Sequence, residues 1–352
     1  MVRPLPPDAR ARQALRVALA QAWRLGTPPH AVVATALPLV EGGPRRLVHG
    51  VLARLLGAPP PLGAAPGLPQ PWGARWTAAH GAAAAAAIAA ALADEPPLDL
   101  SLRDPATTSE WAARLGGVSL APGHVRLAST GAVETLPGFH EGAWWVQDLA
   151  ASLPARLLAP APGEPVLDLA AAPGGKTMQL AAAGACVCAL DASAPRLERL
   201  RANLLRTRLT AEVVAADMLA WTPPAPATAI LLDAPCSATG IARRHPDVLH
   251  LKATGHIAAL AALQARLLAR AAGWLAPGGR LLFATCSLEP EEGEEQVARL
   301  LATMPGVALD PVRPDELPAG LAPRPQGWVR TLPGDLPGGL DGFFIARLRR
   351  AA

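Results

Sequence analysis

The chain has 352 residues, 51% of them hydrophobic, which is enough for about two domains with buried cores. Its 32 basic and 28 acidic residues give a formal net charge of +4, which allows a polyanionic partner without requiring one. Four cysteines are too few for a disulfide scaffold and no stretch is long and apolar enough to span a membrane, so we expect a cytoplasmic protein with no membrane partner.

The first part of the chain is predicted to be mostly helical. Apolar spacing indicates helices between about residues 9 and 56, broken at the Gly/Pro-containing segments 26–29 and 42–44. Residues 58–70 are rich in Pro and Gly and are predicted to be a linker. Residues 71–149 are predicted to form a connecting subdomain that is helical at first and then mixes short strands with turns.

Residues 150–352 show strands alternating with helices. The strands are predicted at residues 166–169, 186–190, 213–214, 230–232, 280–285 and 343–348. Repeated β–α units predict an α/β domain with a parallel, doubly wound sheet whose ligands lie at the carboxyl ends of the strands. We expect the last of these strands to close the sheet at its edge.

A Gly-rich turn follows the first strand of this sheet. Glycines let backbone amides approach a ligand closely, and the helix N-terminus beyond them favours an anionic group. The patterns G-x-G-x-x-G and G-x-x-x-x-G-K-[ST] are absent, which disfavours nicotinamide and nucleoside triphosphate cofactors. The turn consists of Ala170, Ala171, Ala172, Pro173, Gly174, Gly175, Lys176 and Thr177.

Acidic residues follow the neighbouring strands. Asp191 is placed to accept hydrogen bonds from a ribose diol, and Asp217 is placed to take an adenine amino group. Any one of Asp168, Asp191 and Asp217 is equally well explained as a turn former. Three such acids in register with the Gly-rich turn favour a cofactor site, and the layout suits S-adenosylmethionine.

Two cysteines follow strands that should be neighbours. They lie in the segments Asp233 to Ser237 and Thr285 to Ser287. Methylation of cytosine at C5 requires a thiolate to add at C6, so that C5 can attack a sulfonium methyl group before the thiolate is expelled. Cys236 and Cys286 match that need, and Asp233 is expected to hold the N3/N4 edge of the base, supplying a proton if it is itself protonated. The alternative, that both cysteines are small buried hydrophobes, stays open.

Three further features have simpler interpretations. Cys186 and Cys188 are predicted to be buried strand residues, and their spacing does not suit a metal. A helix starting near Pro290 is expected to favour a thiolate at Cys286 through its dipole, although the nearby glutamates oppose that effect. The arginines between 196 and 208 are predicted to lie on a solvated helix face.

Taken together, the motifs resemble those of the Sun-type (NOL/NOP/Sun) RNA cytosine-5 methyltransferases, and within them the ribosomal small-subunit methyltransferase B group. The order and spacing of the motifs carry this resemblance more than any one of them does. The matching segments are residues 137–139, 145–148, 170–177, 233–237, 244–247, 285–292 and 341–344.

The resemblance implies a class I (Rossmann-like) S-adenosylmethionine methyltransferase domain over residues 150–352. It also implies a mostly helical, shortened NusB-like N-terminal domain over residues 1–57, because only the later part of that RNA-binding domain is matched. The implied cofactor residues are Ala170, Ala171, Ala172, Pro173, Gly174, Gly175, Lys176, Asp191, Asp217 and Asp233.

The resemblance further implies that Cys286 is the nucleophile and that Cys236 assists product release. Local sequence does not separate the two roles, and analogy with DNA cytosine methyltransferases would make Cys236 the nucleophile. The expected substrate is RNA, with 16S ribosomal RNA preferred to transfer RNA, and the chain is expected to be monomeric. A catalytically impaired RNA-binding homologue is the alternative. Arg243 and Arg244 are expected to contact RNA phosphates.

Overall fold

A computed structural model describes residues 8–58, 67–128, 131–251 and 254–352. Within those ranges no helix has both the length and the apolar character needed to cross a membrane. The chain divides into two compact units, residues 1–64 and 65–352. Residues 59–66 of the predicted linker lie outside the described residues.

The first unit is helical, as predicted. Its helices are α1 (Ala9–Arg24), α2 (Pro29–Ala36) and α3 (Gly42–Gly57). The predicted break at residues 26–29 is confirmed. Residues 42–44 instead begin α3, and the chain turns just before them, through the 3-10 turn Leu37–Leu39. Small and branched side chains such as Ala18, Val32 and Leu52 fill the space between the helices and are completely buried.

The second unit opens with two helices and a small antiparallel sheet. The helices are α4 (Trp72–His80) and α5 (Ala82–Ala91), and the strands are β1 (Leu98–Leu102), β2 (His124–Leu127) and β3 (Trp144–Val146) in the order β2-β1-β3. A further helix, α6 (Thr108–Leu115), packs on the leucines of β1. The sequence predicted only strands and turns here, because one turn of apolar spacing in eight residues is too little to reveal a helix.

The large sheet has the predicted α/β architecture. Its strands are β4 (Pro165–Leu169), β5 (Cys186–Asp191), β6 (Glu212–Ala215), β7 (Ala227–Asp233), β8 (Leu275–Thr285), β9 (Val307–Leu309), β10 (Val329–Thr331) and β11 (Phe343–Arg350). The helices between them are α7 (Leu149–Leu158), α8 (Gly175–Ala182), α9 (Ala194–Thr207), α10 (Val248–Leu251), α11 (Gly255–Gly273) and α12 (Glu294–Thr303). The strand order is β10-β11-β8-β7-β4-β5-β6, with β9 beside β11.

The central strands are parallel and buried on both faces. In β7, Leu231 packs into one apolar core together with Leu153 of α7, while Ile230 packs into the other together with Leu268 of α11. Burial on both faces explains why these strands are continuous apolar runs in the sequence. It also brings the carboxyl ends of β4, β5, β7 and β8 to one edge of the sheet.

The prediction that residues 343–348 form an edge strand is wrong. β11 lies antiparallel to β8 on one side and pairs with β10 and β9 on the other. All side chains from Phe343 to Leu348 are buried, which an interior strand requires. No local pattern indicated the two short strands β9 and β10 that pair with β11 on this side.

Candidate active site

The predicted acids and cysteines meet in one cavity. This cavity, of about 560 Å³, lies at the carboxyl ends of the parallel strands. A pocket of this size is typical of small-molecule and cofactor sites. Apolar side chains such as Met218 and Leu267 also line it. The predicted site residues on its wall are Ala170, Asp191, Asp217, Asp233, Cys236 and Cys286.

The rest of the Gly-rich turn supports this wall. Ala171, Ala172, Pro173 and Gly174 do not line the cavity and connect β4 to α8, whose first residues are Gly175 and Lys176. Gly174 has φ +104°, which favours glycine, and a Cβ there would lie 3.0 Å from Leu200 Cγ of α9. The turn therefore allows α9 to pack closely against the start of α8, while Ala170 alone of its residues lines the cavity.

Asp191 connects the turn to the cavity. Its Oδ2 accepts a hydrogen bond from Ala172 N at 3.1 Å, and its Oδ1 accepts one from Ser193 N at 2.8 Å. Arg196 lies 3.3 Å from Asp191 Oδ2 and also donates to Ala172 O. Arg196 is thus part of the cavity wall, in addition to lying on the exposed side of α9. Each Asp191 oxygen keeps a lone pair for a ligand hydroxyl.

Asp217 is more exposed. It follows β6, and its Oδ1 accepts a hydrogen bond from Leu219 N at 2.8 Å. The neighbouring Met218 side chain is buried in the core under the sheet and contributes to the cavity wall. An acid beside an apolar surface is the arrangement expected for the polar edge and the flat face of an adenine ring.

Cys236 and Cys286 are neighbours, as predicted. Their Sγ atoms lie 3.4 Å apart because β7 and β8 pair in parallel, with Asp233 opposite Ala284. The hydrogen bond to Cys286, burial and the charge of Glu292 raise the pKa of Cys236 well above that of a free thiol. Both thiols are half-buried and line the cavity, so they are accessible to a bound ligand.

Lys176 is the partner of Asp233, which the sequence did not indicate. Its Nζ lies 2.7 Å from Asp233 Oδ2 and 5.2 Å from the centre of the Phe343 ring. Burial works against the charged form, but the charges of Asp233, Cys286 and Asp168 together raise the pKa of Lys176. One signal was available in the sequence, because Lys176 and Lys252 are the only lysines in an arginine-rich chain.

A second unexpected group is Glu292. It is fully buried and contacts both residues that follow the cysteines, Ser237 and Ser287. The expected helix from Pro290 is in fact a single 3-10 turn, residues Pro290–Glu292, and α12 begins only at Glu294. Glu289 points elsewhere and pairs with Arg75 at 2.7 Å.

The expectation that Arg243 contacts RNA phosphates is wrong, because its side chain is buried in ion pairs; for Arg244, which is partly exposed, the expectation stays a prediction. Arg243 is buried and bonds to Asp148 at 2.6 Å and Asp341 at 2.9 Å. Arg244 bonds to Asp148 at 2.8 Å. These ion pairs join the start of α7, the loop after Cys236 and the residues before β11. The arginines therefore fix the loop that follows Cys236.

The two remaining cysteines lie away from the cavity. Cys188 is half-buried, and burial together with the charge of Glu212 raises its pKa to about 11. Cys186, which we predicted to be buried, is exposed because it is the first residue of β5, where the sheet ends.

Comparison with known proteins gives one consistent result. The family model described as 16S rRNA methyltransferase RsmB/F matches residues 155–349. Ribosomal RNA small subunit methyltransferase B of Klebsiella pneumoniae is 38% identical over 294 residues, covering 80% of this chain and 64% of the relative. The protein of the same name from Shewanella oneidensis is 43% identical over 232 residues, covering 64% of this chain and 52% of the relative. The chain thus spans between half and two thirds of the length of these relatives.

Solved structures agree with the fold. The crystal structure of PH0851 has a TM-score of 0.80 and 26% identity, covering 99% of this chain and 84% of the other. A methyltransferase homolog protein from Pyrococcus horikoshii has a TM-score of 0.66 and 29% identity, covering 79% of this chain and 93% of the other.

Proposed function

The chain belongs to the 16S rRNA methyltransferase RsmB/F family, and from that premise we propose that it is an S-adenosylmethionine-dependent RNA methyltransferase forming 5-methylcytosine in 16S ribosomal RNA. The observation that carries the proposal is the pair of thiols 3.4 Å apart on the wall of the same cavity as Asp191 and Asp217. This arrangement supports a reaction in which one thiol is the nucleophile and the other transfers a proton beside the bound cofactor.

The cavity residues fit S-adenosylmethionine, which supplies an electrophilic methyl group when bound. Asp191 holds the ribose diol through the lone pairs that its two backbone donors leave free. Asp217 accepts from the adenine amino group, and Met218 provides an apolar surface for the ring. Ala170, with φ +59°, presents its backbone to the cavity.

The thiolate of Cys286 adds to C6 of the cytosine and makes C5 nucleophilic. Asp233 holds the N3/N4 edge of the base, and the ammonium of Lys176, 2.7 Å from Asp233, supplies a proton for the charge that develops on the ring. In the adduct Cys286 carries no charge, so Cys236 can give its proton to solvent and act as a thiolate base. After C5 is methylated, Cys236 takes up the C5 proton, the C5–H electron pair forms the C5–C6 double bond, the C6–S bond to Cys286 breaks, and the proton on the ring returns to Lys176. The nucleophile and the base therefore reach adjacent ring carbons from neighbouring strands.

The cytosine must be unpaired or flipped out, because the thiolate reaches C6 only from outside the base stack. Small-subunit ribosomal RNA is the proposed substrate because both relatives carry ribosomal RNA small subunit methyltransferase names. Transfer RNA is the rival substrate, and loss of turnover with retained RNA binding is the rival function.

The test uses purified full chain, labelled S-adenosylmethionine and unmodified small-subunit ribosomal RNA, with transfer RNA in parallel. Bisulfite sequencing maps the product, and denaturing gels reveal protein–RNA adducts. We expect Cys286→Ala to lose transfer and Cys236→Ala to accumulate adduct. The reverse pattern would make Cys236 the nucleophile. Cofactor binding without transfer to either RNA would contradict the proposal.

A further inference from the structure

One buried carboxylate connects the two turns that carry the cysteines. Cys236 is followed by Ser237 after β7, and Cys286 is followed by Ser287 after β8. Glu292 accepts a hydrogen bond from Ser237 N at 2.9 Å and one from Ser287 Oγ at 2.5 Å. It also accepts from Ser237 Oγ. The two turns are therefore held at a fixed separation by one side chain.

The groups around Glu292 are all donors. Besides the serines, Gln264 Nε2 of α11 donates to Glu292 Oε1 at 3.1 Å and to Pro235 O at 2.9 Å. Glu292 is 0% exposed, so solvent does not screen it. Four donor groups occupy the acceptor sites of this carboxylate. Its negative charge acts strongly on neighbouring groups because the buried surroundings have a low dielectric constant.

The charges on the two sides of the thiol pair differ. The hydrogen bond to Cys286, burial and the charge of Cys286 oppose ionisation of Cys236 most, and the charge of Glu292 adds to them. The ammonium of Lys176 interacts with Cys286. Asp233 pairs with Lys176 at 2.7 Å, and Asp168 lies close enough to Lys176 to interact with it. Among the described residues, these groups and the other thiol are the charged and titratable groups that interact with the pair or with Lys176. They make the thiols inequivalent although the sulfurs are in contact.

We propose that Glu292 is a positioning residue that holds the Cys236 turn against the Cys286 turn and keeps Cys236 a neutral thiol until Cys286 has added to the base. This inference rests on the proposed function for its purpose, since the methylation cycle needs one nucleophilic thiolate and a second thiol that transfers a proton later. Glu292 is fully buried, does not line the cavity and acts through Ser237 and Ser287. It gives a physical reason for the division of roles that local sequence left open.

The test measures the thiols directly, without RNA or cofactor. The full chain is treated briefly with iodoacetamide between pH 6 and pH 10, and mass spectrometry of the peptides gives the labelling rate of each cysteine. We expect Cys286 to react at lower pH than Cys236 in the unchanged protein. In Glu292→Gln we expect Cys236 labelling at pH 8 to rise about tenfold, equivalent to one pH unit. Glu295→Gln, which changes an exposed acid in the first turn of α12, should leave both rates unchanged.

Two further variants separate charge from structure. Glu292→Asp keeps the charge, and we expect it to restore the slow labelling of Cys236. Cys286→Ala removes the hydrogen bond and the charge of Cys286, which oppose ionisation of Cys236, so we expect Cys236 labelling at pH 8 to rise. Glu292→Gln made on this background should raise it further, because the charge of Glu292 remains in Cys286→Ala. The labelling order in the unchanged protein keeps the test decisive if Glu292→Gln fails to fold.

Three results would overturn the inference. They are unchanged Cys236 labelling in folded Glu292→Gln, equal Cys236 labelling in Cys286→Ala with and without Glu292→Gln, and labelling of Cys236 before Cys286 in the unchanged protein. Because the assay contains no RNA, it gives an answer even if methyl transfer to ribosomal RNA is never observed. Failure of the proposed function and failure of this inference are therefore distinguishable.

Discussion

Lys176 Nζ lies 2.7 Å from Asp233 Oδ2, joining the Gly-rich turn after β4 to the residue that ends β7. The ammonium is almost completely buried, and the Phe343 ring lies beneath it. The pair places one cation at the point where a base bound by Asp233 would accumulate negative charge. Lys176 was expected only as part of a cofactor-binding turn, and this contact gives it a second role.

We predict that Lys176→Met lowers the rate of methyl transfer by about 100-fold or more, because both the proton donor and the partner of Asp233 are lost. Single-turnover rates at saturating cofactor measure the effect. Arg199→Met, which removes an exposed cation on α9, is the matched control and should leave the rate unchanged. An unaltered rate in folded Lys176→Met would show that the proton comes from another group.

Asp191 and Asp217 should contribute unequally to cofactor affinity. Asp191 is buried and fixed by two backbone donors, whereas Asp217 is exposed and competes with water. Losing the charged partner of a buried hydrogen bond costs about 1.5–3 kcal/mol, so Asp191→Asn should weaken binding about 10- to 100-fold. Calorimetric titration with S-adenosylhomocysteine measures this, and Asp217→Asn should show a smaller loss. A larger loss in Asp217→Asn would reverse the assignment.

Asp168 should make stability depend on pH. It is fully buried beneath the Gly-rich turn and accepts a 2.6 Å hydrogen bond from Thr177, and burial raises its pKa to about 7. An unfolded chain has a pKa near 4, so between about pH 4 and pH 7 the folded state binds one more proton. The contribution of Asp168 to the free energy of unfolding is therefore greatest below about pH 4 and is lost as the pH rises to about 7.

Asp168→Asn should flatten this part of the pH profile, which denaturant titrations between pH 4 and pH 8 would measure. Asp315→Asn is a suitable control, because that carboxylate is exposed beside Arg313. Identical profiles for Asp168→Asn and the unchanged protein would show that Asp168 is charged in the folded state throughout this range.

The ion pairs around Arg243 should matter for stability rather than RNA affinity. Arg243→Ala leaves Asp148 and Asp341 buried with only Arg244 to neutralise them. Removing one partner of a buried pair costs about 3–5 kcal/mol in the free energy of unfolding. The control is Arg201→Ala, which breaks an exposed pair with Glu198 and should cost less than about 1 kcal/mol. Similar losses in both variants, measured by chemical denaturation, would contradict this account.

The large α/β sheet and the proximity of Cys236 to Cys286 could be predicted from the sequence alone. Parallel strands buried on both faces must be continuous apolar runs, and their carboxyl ends must share one edge of the sheet. Residues placed just after such runs therefore converge without any knowledge of distant contacts. The Gly-rich turn and Asp191 were located for the same reason.

Contacts between segments that are distant in the sequence could not be predicted from local patterns. Glu292 looked like one of several glutamates starting a helix, until the fold brought Ser237, 55 residues earlier, against it. Arg243 looked like an exposed loop cation until Asp148, 95 residues away, paired with it. The interior position of β11 depended in the same way on short strands with no pattern of their own. Burial and pairing between distant segments are properties of the folded chain, because only packing determines which polar groups lose water and must find partners.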